Sequence, residues 1–322
     1  MKKAFITTVL LFLFVTLMGQ EGAKPGTYKI GKWDLQLVSR DKFYPVYLAD
    51  PLGIKFEILS KKILFSNIDT QDGLSNGEGY LGKLTIKPAS RLSLLRWSPG
   101  NDPKLGVELD FGFALPLTMR QRNHDLMVFQ GIYYMSIAGA PSEWLSLRIA
   151  KHHICTHRAV EFWAGSVVSP IDMDPNMYTL YVRDDVVFSA AAKPLYFLGN
   201  PELDILRVYA DISAYIPGSG VIGIRQNRPN TESYFYFQGG AEVEYYLNNT
   251  AFGGFFAAVN ISAWQENNYS PNYSLVAGYI VPQKPGRNRF RIGLQYYNGR
   301  CINFELLKSS ERFVAFHLAF DF

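Results

Sequence analysis

Beyond residue 20 the 322-residue sequence has no apolar run approaching the roughly 18 residues of a membrane helix, so the rest of the chain is not read as helical spans. Cysteine is scarce: Cys155 and Cys301 are the only two. Two thiols are not a disulfide framework, although they can pair in an oxidising compartment, and no metal-binding spacing surrounds them. Charged residues are 19% of the chain, against about 25% in an ordinary soluble domain. There is no phosphate loop, dinucleotide fingerprint or paired-cysteine motif, so no cofactor and no resident metal are expected. Aromatic residues, in contrast, are abundant, with 20 Tyr and 23 Phe. Mean hydropathy is nevertheless −0.03. Few charges, many aromatics and neutral hydropathy fit strands that alternate apolar and polar residues, as in a barrel that meets lipid on one face only.

The N-terminus reads as an export signal. Met1-Lys2-Lys3 is basic, Ala4 to Leu17 is apolar apart from three threonine hydroxyls, and Gly19 offers a small residue at the cut. Residues 1–19 are therefore expected to be removed, and no cysteine near the cut suggests a lipid anchor. Losing Lys2 and Lys3 lowers the formal charge from +4 to +2, too small a value to suggest nucleic acid as a partner.

The clearest strand runs from Leu105 to Leu115. Leu105, Val107, Leu109, Phe111 and Phe113 share one face, and Gly106, Glu108, Asp110, Gly112 and Ala114 the other, because successive side chains on a strand point to opposite sides. Two carboxylates suit a polar lumen, with the apolar face towards lipid. The pattern recurs at 206–215, 235–245 and 289–296. Further strands are expected near 54–65, 80–97, 128–139, 144–154, 179–193, 252–263 and 272–281. The last strand sets Val314, Phe316, Leu318, Phe320 and the terminal Phe322 on one face. A terminal Phe on an alternating aromatic strand looks like the sorting signal of outer-membrane barrels. Phe316, Phe320 and Phe322 are thus the candidate assembly signal, read by the barrel-assembly machinery. Short and long connections alternate, as they do between periplasmic turns and outer loops.

The expectation is an all-β transmembrane antiparallel barrel of about twelve strands over residues 54–322, in the bacterial outer membrane with its lipids as partners. Residues 20–53 read as a periplasmic or lumen-entering extension, with a short additional strand at 33–38 as the alternative. The lumen-facing charges Glu108, Asp110, Arg148, Arg207, Asp211, Glu242, Glu244, Arg289 and Arg291 either line a permeation path or pair with one another and close it. Function reads as a narrow or plugged pore for an unidentified small solute, or a structural barrel.

A second chemistry is visible at His152, His153 and His157, which cluster with Cys155, Thr156 and Glu161. Imidazoles with a carboxylate can hold a metal. A base beside a thiol or hydroxyl can also make a nucleophile, so a lipid-acting hydrolase at the outer rim, built from His153, Cys155 and Glu161, is the alternative function. The plain reading is a strand end and rim loop where imidazoles meet head groups and water.

The segment Phe43-Tyr44-Pro45-Val46-Tyr47-Leu48-Ala49-Asp50-Pro51 resembles the opening motif of an uncharacterised family of exported bacterial proteins, domain-of-unknown-function family number 1207. His153, His157 and Glu161 match the family's His-x-Ser-Ser-His-Leu-Gly-Asp-Glu-Tyr stretch, while its serines, glycine and aspartate are replaced here. Tyr296-Tyr297-Asn298-Gly299-Arg300 resembles its Tyr-Tyr-x-Gly-x stretch. The resemblance implies an outer-membrane barrel and no particular activity.

Overall fold

A computed structural model describes residues 27–39, 41–66, 82–121, 126–158, 180–199, 204–217, 221–223, 235–247, 252–282, 289–306 and 309–321. The expected signal peptide, Glu161 and Phe322 lie outside these residues.

The described chain opens with a hairpin of β1 (Thr27–Ile30) and β2 (Trp33–Ser39). Its turn passes through Gly31 at a φ of 63°, where a side chain would be strained. The wall then follows as β3 (Phe56–Ser66), β4 (Gly82–Lys87), β5 (Ala89–Pro99), β6 (Gly106–Ala114), β7 (Leu117–Arg120), β8 (Leu126–Ser142) and β9 (Leu145–Arg158). It continues through β10 (Leu180–Ala192), β11 (Leu206–Tyr215), β12 (Val221–Gly223), β13 (Phe235–Tyr246) and β14 (Gly254–Trp264). It ends with β15 (Pro271–Ile280), β16 (Phe290–Arg300) and β17 (Ser310–Phe320). A single helical turn, α1 (Pro194–Phe197), follows β10.

Several of these pieces are parts of one wall strand. Proline has no N–H to give the ladder, and Pro88 divides β4 from β5, as Pro116 divides β6 from β7. The carbonyls of both prolines stay in use, accepting from Leu115 and Gln130 at 2.8 and 2.9 Å. β11 and β12 pair in turn with the two halves of β10. Counted this way the wall is a closed antiparallel barrel of twelve strands, as the alternation in the sequence indicates. Closure is made by β17 against β3, with Phe320 opposite Phe56 and Glu311 opposite Ser66. β2 pairs along β5 from Trp33↔Pro99 to Ser39↔Ser93, so the hairpin prolongs the wall at the end where β3 begins.

The polarity of the wall is inverted relative to a soluble protein. Ile137 and Leu294 point outward and are 56% and 59% exposed, whereas Arg183 and Arg291 point inward and are 0% and 2% exposed. An apolar exterior around a polar interior is the arrangement of a transmembrane barrel.

Three connections differ from the sequence reading. β9 does not end near 154 but continues to Arg158, so Cys155, Thr156 and His157 are strand residues rather than a rim loop. The ladder carries them: Cys155 opposes Gly131 on β8 and Val182 on β10. The segments expected to be connections at 116–127 and 217–232 contain the short strands β7 and β12. Finally, Cys155 and Cys301 are both free. The physical reason is the wall itself: Cys155 is on its outer face, while Cys301 is buried against Leu306 in the turn after β16.

Candidate functional site

Residues 43–55 have no regular structure and fill the lumen. A backbone buried outside a helix or sheet must find other partners for its polar groups, and here the wall's charged side chains supply them. Phe43 N–H donates to Glu108 Oε1 at 2.8 Å, and Phe43 O accepts from Ser146 Oγ at 2.8 Å. Tyr44 O accepts from Arg91 Nη2 at 3.1 Å, and Val46 O from Arg207 Nη2 at 3.2 Å. Leu48 N–H donates to Glu242 Oε1 at 2.7 Å, and the Tyr47 hydroxyl to Asp211 Oδ1 at 2.7 Å. The Tyr47 ring stacks on Tyr209 with centroids 3.6 Å apart.

The return of the segment to the wall is held by Lys55. Its ammonium donates to the carbonyl oxygens of Tyr47, Leu48 and Asp50 at 2.9, 2.9 and 2.8 Å. Lys55 and Lys87 both pair with Glu57, and His317 Nε2 lies 2.9 Å from Glu57 Oε1. All four are buried. This hub was missed in the sequence, although Glu57 and His317 sit on the inward-facing parity of β3 and β17.

Of the charges singled out from the sequence, Arg91 holds Asp110 at 2.7 Å, Arg207 pairs with Glu242, and Glu244 takes both Arg289 and Arg291. Arg291 also pairs with Asp321. Among the described residues Glu108, Arg148 and Asp211 have no ionic partner, and Glu108 accepts instead from Phe43 N–H. Arg148 lies over the Tyr44 ring at 4.4 Å and donates to Ser189 Oγ at 3.1 Å, and its buried Nε has no partner. Asp211 accepts from Tyr47 and, at 2.6 Å, from Gln238 Nε2.

The turn after β16 folds inward from the other end. Gln130 Nε2 donates to Ile302 O at 2.9 Å, and Phe304 stacks on Tyr181 at 4.5 Å and meets Trp264 edge-on at 4.8 Å. Beside the lumen segment lies a cavity of about 70 Å³, bordered by Arg148, His152, Asp211, Gln238 and Trp264.

The histidine cluster is divided by the wall. Successive strand residues face opposite ways, so His152 borders the internal cavity while His153 and His157 face outward, stacked on Tyr133 and Phe129. No group of three or more His, Cys, Asp or Glu among the described residues is placed to hold a metal. His153 Nδ1 is 3.0 Å from Asp184 Oδ1, and Lys151 Nζ is 3.8 Å from the same oxygen. Cys155 Sγ contacts Gly131 O at 3.7 Å.

The fold and its filled lumen define the class: a closed transmembrane β-barrel whose own chain occupies its interior. No family model matches the sequence, and no curated protein does. Among solved structures the chain is similar to the KdgM porin, at 8% identity and a TM-score of 0.42, over 84% of this chain and 99% of that one. It is similar to LpxR from Salmonella typhimurium at 10% identity and a TM-score of 0.37, over 83% of this chain and 100% of that one. The CymD monoaromatic hydrocarbon channel matches at 10% identity and a TM-score of 0.37, over 92% of this chain and 81% of that one.

Proposed function

We propose that the protein is a bacterial outer-membrane channel for small polar solutes, closed at rest by its own residues 43–55. The observation that carries this reading is that the segment in the lumen is held by wall side chains, not by a sheet. Side-chain tethers can be exchanged one at a time, whereas a ladder cannot. The apolar exterior supports the membrane location, and outer-membrane lipids are then its surroundings. The closing strand β17, with Phe316 and Phe320 on its outward face, is the part the assembly machinery would read. Unchanged membrane insertion after deletion of Phe322 would remove that assignment.

Single-channel recording tests the function. The wild-type protein is expected to be mostly closed, and the double variant Glu108→Ala/Glu242→Ala, which loses the acceptors for Phe43 and Leu48, is expected to open. A double variant that inserts normally and never conducts would overturn the reading.

A hydrolase acting on lipids is the second reading, and the His153–Asp184 pair on the outward face favours it, because a carboxylate that orients an imidazole prepares a base. It predicts hydrolysis of phospholipid or lipopolysaccharide that His153→Ala abolishes. A purified wild-type protein without that activity would end it.

A further inference from the structure

The cavity above the lumen segment has an uneven distribution of charge. Arg148, Ser189 and Asp211 lie side by side in register across β9, β10 and β11. With neighbouring strands about 4.8 Å apart, the Arg148 and Asp211 backbones are about 10 Å from each other. Their side chains diverge: Arg148 leans onto Tyr44 and Tyr134, and Asp211 turns to Tyr47 and Gln238. Both border the cavity. Of the other charges nearby, Arg91 is paired with Asp110 and Asp185 with Arg183. Asp50 also borders the cavity without an ion pair among the described residues: its carboxylate accepts from Leu52 N–H at 2.9 Å and from Gln238 Nε2 at 3.4 Å, and the Lys55 ammonium sits on its backbone oxygen. Charges without ion partners beside a partly open cavity are costly unless polar groups meet them. The Tyr44 and Tyr47 hydroxyls, bonded to each other and through Tyr47 to Asp211, meet part of that need, while the buried Nε of Arg148 has no partner.

The space between them is of limited size and not wholly polar. At about 10–15 Å³ per water position, a cavity of this size holds on the order of five waters, or a solute of about five to seven heavy atoms. Ala150 and Val187, paired across β9 and β10, and Ile54 from the lumen segment form an apolar patch on its border. A solute fitting all of this has an anionic end for Arg148, a cationic end for Asp211 and a small aliphatic body.

We infer that this cavity binds a small zwitterion carrying a carboxylate and a protonated amine, of the α-amino acid class, with Arg148 holding the carboxylate and Asp211 the ammonium. Such a molecule spans about 8 Å from guanidinium to carboxylate when one hydrogen bond of about 2.9 Å is counted at each end, which suits side chains rooted about 10 Å apart. As the solute class of the proposed channel, the assignment rests on that reading, but binding is measured without conduction.

The test is calorimetric titration of the purified barrel with L-alanine, and with three analogues that each lack part of it: lactate, alaninamide and glycerol. Alanine is expected to bind, with lactate and alaninamide each at least tenfold weaker and glycerol not bound. Asp211→Asn keeps one acceptor oxygen, enough for Tyr47, while losing the charge and the second acceptor that Gln238 uses. It should weaken alanine at least tenfold in a barrel that still shows the heat-modifiable mobility of the wild type. Arg148→Gln should do the same, and Arg148→Lys should restore part of the loss. No alanine binding up to about 10 mM, lactate binding as tightly as alanine, or charge-neutral variants that bind normally would each overturn the inference. Alanine binding by a protein that never conducts would sink the channel and leave the site. Conduction without alanine binding would do the reverse.

Discussion

Replacing Lys55 with methionine tests how the lumen segment is held. Methionine keeps most of the stem's length and its apolar contacts but has no hydrogen to donate. The carbonyls of Tyr47, Leu48 and Asp50 then lose a donor at 2.8–2.9 Å, and Glu57 loses the ammonium 3.1 Å away, keeping Lys87 and His317. A hydrogen bond to a charged group contributes about 1.5–3 kcal/mol, but three bonds from one ammonium are not additive. Removing one member of a buried ion pair costs about 3–5 kcal/mol. The three carbonyl bonds shape the segment from within, and the pair with Glu57 joins it to the wall, so at least about 3 kcal/mol from that broken pair should fall on the closed conformation. At about 1.4 kcal/mol per factor of ten, the released population rises on the order of a hundredfold. Single-channel recording should show long openings in the variant where the wild type is closed. Chymotrypsin should cut after Tyr47 in the variant and not in the wild type. A variant that stays closed, resists the protease and unfolds at the wild-type denaturant midpoint would refute the reasoning.

Leu294→Arg places a charge in the middle of β16 on the outward face; it should cost about 2–4 kcal/mol in lipid vesicles, and a cost within about 0.5 kcal/mol, usual for a water-facing site, would mean that this face does not meet lipid. Gly112→Val should lower stability by about 1–3 kcal/mol through overpacking, because a Cβ there comes within 2.6 Å of the Tyr134 ring. Displacing that ring also disturbs its hydroxyl's bonds with Arg91 and Asp110; unchanged urea unfolding would show that the ring moves aside freely. An impermeant maleimide should label neither cysteine in the folded protein: Cys301 is buried and its thiol is pushed up to about 12 by that burial, and Cys155 lies in the wall. Fast labelling of Cys301 before denaturation would show that the turn after β16 does not fold inward.

The wall was legible because its signal is local. A strand that separates lipid from a polar interior must alternate, and Val107 to Phe113 or Val314 to Phe320 carry that alternation whatever lies next to them. The breaks were less visible. Pro88 and Pro116 interrupt ladders without interrupting the wall, since their carbonyls still accept, and the same residues in isolation read as turns. β9 ran past its expected end because Cys155, Thr156 and His157 do not carry a clear apolar–polar alternation by themselves. Their conformation comes from pairing with β8 and β10 on either side.

The interior was harder to read, since its partners are distant in sequence and share no period. Leu48 meets Glu242 across 194 positions, and Glu57 meets His317 across 260. The inward parity of a strand says that a carboxylate faces the lumen, but not whether it bonds a cation, a backbone N–H or a solute. That distinction decides what the barrel does. Where wall charges meet each other, as Arg291 meets Asp321, they close space; where they meet the backbone of residues 43–55, they hold that segment in the lumen. Arg148 and Asp211 do neither fully, and they border the cavity beside that segment. A lumen filled by paired charges throughout would be a structural barrel. Side-chain tethers on the segment and charges of both signs without ion partners beside it argue instead for a barrel that opens and for a solute that carries both signs.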